Sequence, residues 1–227
     1  MKRILTSALA SAALMLVFGV GVASADSISL NSGNKALSGS PGPYGNAVIT
    51  FVDSTHADVT FTSLSGFLFG ATASVDLNVN ATAFTVSGIT GTNSDSALFT
   101  PGPYTSSVAA GQEVDGWGKF NFTIDSFDGY QHSATSISFE LTDTSGTWTS
   151  DTDVTTGNKD GLLAAAHIFV CDKDPCSPSG SATVTGFAAG NGTTEELPPP
   201  TVPEPGSLVL LGTGLIALLR RRLAPRG

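Results

Sequence analysis

The chain has 227 residues, 41% of them hydrophobic and 13% charged, with 19 acidic against 10 basic side chains and a formal charge of −9. That is enough chain to bury a real core. The acidic balance argues against nucleic acid, whose phosphates demand basic side chains, and against anionic lipid surfaces, while cations and neutral polysaccharide stay compatible with it.

The first 25 residues read as a secretory signal peptide. Lys2 and Arg3 precede an apolar run over 8–22, and Ala23-Ser24-Ala25 supplies the small-x-small cleavage pattern. Cleavage after Ala25 leaves Asp26 as the new amino terminus and requires the Sec translocon and signal peptidase. Lys2, Arg3 and every arginine near the C-terminus lie in the two terminal segments. What remains of the basic residues is Lys35, Lys119, Lys159 and Lys173, with no arginine. Such a surface favours solubility outside the cell.

Residues 26–189 read as one all-β domain. Ala47-Val48-Ile49-Thr50-Phe51-Val52 and Ala57-Asp58-Val59-Thr60-Phe61-Thr62 flank Asp53-Ser54-Thr55-His56, the pattern of a hairpin. Apolar and polar residues alternate again at 75–79, 84–86, 120–124, 137–141 and 183–187, as half-buried strands do. Residues 163–170 are apolar on both faces, which fits a central strand or a short buried helix. Their continuation into a cysteine loop favours the strand. No helical period is sustained between the two ends. Many short strands with Gly, Pro, Asn and Asp punctuation predict an antiparallel β-sandwich, for which a jelly-roll-like arrangement is one form. The sandwich is flanked by a signal-peptide helix and a short C-terminal hydrophobic helix. Pro41-Gly42-Pro43-Tyr44 recurs as Pro101-Gly102-Pro103-Tyr104, and turn chemistry alone accounts for the repeat.

The residues that carry chemistry are sparse. His56, His132 and His167 meet no nucleophile motif, and no His-Glu-x-x-His helix exists for zinc. The prediction is a protein with no catalytic residues and no required cofactor. Asp125 with Asp128, and Asp151 and Asp153 with Asn158 and Asp160, could offer oxygen ligands to calcium. Neither follows the regular calcium loop, and turn formation explains both more simply. Cys171 and Cys176, the only cysteines, are expected to form a disulfide in an exported protein. Trp117, in Gly116-Trp117-Gly118, is the residue placed to stack on a sugar ring, whereas Trp148 reads as core.

Residues 190–201 are a Pro/Gly-rich stalk. Segment 202–227 follows, with Pro203-Glu204-Pro205, an apolar span bounded by Leu208 and Leu219, and a basic stop at Arg220, Arg221 and Arg222. Twelve residues rise only about 18 Å as a helix against a hydrocarbon core of roughly 30 Å. The span therefore suits transient inner-membrane association better than permanent anchoring, with its arginines on the cytoplasmic side.

This three-part order resembles the PEP-CTERM sorting signal of Gram-negative bacteria. The resemblance implies export, recognition by an exosortase, cutting near Pro203–Pro205, and a place at the cell surface or in an exopolysaccharide and biofilm matrix. The body is similar over 41–189 to uncharacterised PEP-CTERM proteins with comparable segments at 78–82, 127–130 and 164–170, which implies no activity. The expectation is a non-enzymatic structural protein, with a carbohydrate-binding module and, behind it, a polysaccharide-degrading enzyme as the competing readings.

Overall fold

The computed structural model describes residues 25–192. Residues 1–24 of the expected signal peptide, Ala23 among them, and the stalk and sorting segment from residue 193 on lie outside the described residues. So do the two expected terminal helices.

Local chemistry explains the first hairpin. β3 (Gly45–Phe51) and β4 (His56–Ser63) are antiparallel, with Ile49 opposite Val59. The Asp53 carboxylate accepts the backbone N–H groups of Thr55 (2.8 Å) and His56 (2.9 Å), closing the turn. Those bonds and the His56 side chain hold the Asp53 pKa down at about 2. Ala47, Ile49, Ala57, Val59 and Phe61 are fully buried, while Asp58 and Thr62 on the opposite face are exposed.

Two antiparallel sheets form the sandwich. The five-stranded sheet runs β1 (Ala25–Leu30), β3, β4, β10 (Ser136–Asp143), β7 (Phe84–Thr92). The other runs β2 (Ser32–Gly33), β12 (Ala182–Gly190), β11 (Ala164–Cys171), β6 (Val75–Leu77), β9 (Gly118–Ser126), β8 (Tyr104–Val114), with β5 (Phe67–Phe69) beside β6 on the same edge of β11. All of segment 163–170 but Leu163 is therefore strand, and its double-faced apolarity is explained by partners on both edges and cover on both faces. Ile28, Ile49, Phe61 and Phe139 meet Leu77, Phe122, Ile124 and Ile168 between the sheets. The Phe122 and Phe139 rings lie 5.0 Å apart, joining the two layers.

One flank of the sandwich is drawn tight, because the Ser29 carbonyl of β1 fills the space where a side chain on Gly190 of β12 would stand. At the other flank the Tyr104 ring lies over Gly91 of β7 in the same way. The two Pro-Gly-Pro-Tyr segments share a cis Gly-Pro bond and a tyrosine ring folded back over the glycine, but only Gly102 takes a positive φ, 83. Each leads into a strand, β3 in one sheet and β8 in the other.

Candidate functional site

The outer face of the seven-stranded sheet is covered rather than open. Along β11 and β12, Ala164, Ala166 and Ala188 face the main core, so Ala165, His167, Phe187 and Ala189 face outward. The tip of the β8–β9 hairpin folds over them. Val114, Phe120, Ala165 and Ala189 are fully buried there, with Trp117, Leu162 and Phe187 packed against them. The Trp117 indole N–H donates to the Phe187 carbonyl at 3.1 Å, and the Asn34 side-chain amide donates to the Asp115 carboxylate at 2.9 Å. Trp117 is half-buried in this geometry and clasps the hairpin to the sheet.

Next along that face the His167 ring stacks on Phe187 at 4.4 Å and donates from Nδ1 to the Thr72 carbonyl at 3.1 Å. Burial lowers its pKa, with the Thr72 hydrogen bond and Asp128 acting the other way. Asp76 on β6 lies directly opposite Thr123 of β9 and is fully buried. Thr123 Oγ1 donates to Asp76 Oδ1 at 2.6 Å, while Oδ2 has no hydrogen-bond partner. Burial, with the nearby Asp125 carboxylate, pushes the Asp76 pKa up to about 8, against the Thr123 hydrogen bond. The segment between β5 and β6 arches over this region with Ala71 and Ala73 in left-handed conformations, φ 59 and 53. The Ala73 N–H donates to Asp125 Oδ1 at 2.7 Å, and Ser74 Oγ donates to the Ala71 carbonyl at 2.5 Å.

At one end of the sandwich a shallow cleft of about 420 Å³ opens between the β6–β7 and β10–β11 connections. Asn80, Thr82, Asp143, Ser145, Thr147 and Asp153 line it. Trp148 lies buried behind it, in the core as expected but carried by a loop rather than a strand, and donates its indole N–H to the Asn80 carbonyl at 2.9 Å. Both carboxylates are engaged by their own loops. Asp143 Oδ1 accepts the N–H groups of Ser145 and Gly146, and Asp153 Oδ2 accepts the Thr149 N–H.

The remaining predicted residues are spread out. Ala25 and Asp26 open β1, with Ala25 opposite Thr50. Burial raises the Asp26 pKa, helped by Asp151. Cys171 and Cys176 form a disulfide, and Cys176 packs with Leu68, Phe99 and Phe169. Asp128 is exposed, and Asn158 Oδ1 accepts the N–H groups of Asp160 and Leu162 as a turn former. Among the described residues no three His, Cys, Asp or Glu side chains gather to hold a metal ion. Pro203, Glu204, Pro205, Leu208, Leu219 and Arg220 to Arg222 lie outside the described residues. Sequence reasoning missed Asp76, because Val-Asp-Leu looks like any strand with its polar residue in water. It also missed the cleft, whose walls come from separate loops.

Residues 201–222 match the PEP-CTERM protein-sorting motif. No curated protein and no solved structure matches the chain. The molecule is an antiparallel β-sandwich that carries a C-terminal sorting signal. That signal marks it as an exosortase substrate, exported and sorted to the cell surface.

Proposed function

We propose that this is a non-enzymatic protein of the cell surface or extracellular polysaccharide matrix. It is cleaved after Ala25 on export, held briefly at the inner membrane by residues 208–219, and cut by an exosortase near Pro203–Pro205. The observation that carries this reading is the sorting motif on residues 201–222, attached to an acidic, arginine-free body. Supporting it, the carboxylates of the end cleft are tied to backbone donors of their own loops, which suits holding a shape better than moving protons. The test is intact mass of the protein recovered outside the cell, in a wild-type strain and in one lacking exosortase. The expected product starts at Asp26 and has lost the tail, and the exosortase-deficient strain retains the tail. A surface protein that keeps Arg220 to Arg222 in both strains refutes the routing.

A second reading, carbohydrate binding, is favoured by the end cleft, whose amide, hydroxyl and carboxylate lining matches sugar hydroxyls. It predicts glycan-array binding that is lost on Thr147→Val or Asn80→Ala and unaffected at Trp117.

A further inference from the structure

We propose that Asp76 and Asp125 form a binding site for a divalent cation of calcium's hard, oxygen-seeking chemistry, beneath the arch of residues 70–74. Strand register brings the two carboxylates together. Asp76 is paired with Thr123, and Asp125 lies two residues further along β9, so both leave the same face of the sheet as diagonal neighbours. One oxygen of each is already held in place, Asp76 Oδ1 by the Thr123 hydroxyl and Asp125 Oδ1 by the Ala73 N–H. The second oxygen of Asp76 is buried with no hydrogen-bond donor, and a buried carboxylate oxygen without a donor is costly.

A cation satisfies that oxygen where a hydrogen bond does not. The Asp125 carboxylate acts on Asp76 with the same sign, so two acidic groups converge beneath the arch. The arch shows the same arrangement from above. Its two left-handed alanines aim the Ala73 N–H at Asp125, and the Ala73 carbonyl is fixed by the His167 N–H at 3.1 Å. Asp125 is only half-buried, which leaves the site a side from which water would complete the shell. Two carboxylates make a weak site, with a dissociation constant on the order of 0.1–1 mM, as in extracellular calcium modules.

Thermal melting of the exported protein at pH 8, in chelator and across a calcium chloride titration, tests the assignment. At ten times the dissociation constant the wild-type midpoint rises by about 3–6 °C. Asp76→Asn keeps the shape of the side chain, melts above wild type in chelator, and loses the calcium response. Asp125→Asn loses the response as well, while Asp128→Asn, at an exposed neighbour, keeps it. At pH 5, where protons compete for Asp76, the wild-type shift shrinks. A wild-type midpoint that does not move with calcium overturns the proposal. So does an Asp76→Asn protein that shifts as much as wild type, because the ion then binds elsewhere on the acidic surface.

Discussion

Replacing Trp117 by alanine separates a tryptophan that clasps the fold from one that presents a sugar platform. Truncating a fully buried tryptophan costs about 3–5 kcal/mol, and half burial reduces this to about 2 kcal/mol. The lost indole hydrogen bond adds only about 0.5–1 kcal/mol, since the Phe187 carbonyl keeps a second donor, the Asn34 N–H at 2.8 Å. The sum is about 2–3 kcal/mol, a drop in melting temperature of about 5–10 °C for a domain of this size. Trp117→Phe retains most of the packing and loses only the N–H, for a drop of about 2–4 °C. Differential scanning fluorimetry gives the midpoints, and urea unfolding gives the free energies. The same variants applied to a glycan array complete the assay. If Trp117→Ala melts within a degree of wild type and abolishes glycan binding, the clasp is wrong and the ring is a ligand platform.

Reducing the Cys171–Cys176 disulfide reopens a short loop and costs about 2 kcal/mol on the chain-entropy model. Melting in reductant should therefore fall by about 4–8 °C, and an unchanged midpoint contradicts that role. His167 has its pKa lowered by burial, so the unfolded chain takes up its proton first as pH falls. Its share of stability is complete above about pH 6.5 and declines below it. His167→Phe should flatten the decline in urea midpoint between pH 7.5 and 5, and parallel profiles would reject the assignment. Gly91→Val drives a side chain into the Tyr104 ring and should cost about 1–3 kcal/mol. A neutral result would show that the ring is free to swing away.

The strands facing the main core were legible because one buried face and one polar face leave a period of two. Ala47 to Phe51, Ala57 to Phe61 and Ile137 to Leu141 repeat it, and the first two pair as the hairpin their pattern predicts. β8 was less visible, since Ser106, Ser107, Gln112 and Glu113 lie on a sheet edge with one neighbour and little to bury. The break between β5 and β6 gave no sign at all. Left-handed turns are marked in sequence by glycine or asparagine, and here alanines adopt them under tertiary constraint. Asp76 illustrates the limit most sharply. Alternation assigns a residue to a face, but whether that face meets water depends on a hairpin and an arch contributed from elsewhere in the chain.

The order of strands bears on how the molecule is made. β12 is the last of the described strands to be synthesised, yet it lies inside its sheet, bonded to β11 along one edge and to β2 along the other. Until residue 190 has crossed the membrane, β11 lacks a neighbour and Ala164, Ala166 and Ile168 have an incomplete cover. Secretion thus delivers a chain that becomes a closed particle only in its final moments of transit. If residues 208–219 pause in the inner membrane as proposed, they hold the carboxyl end at the translocation face while the last seam zips shut.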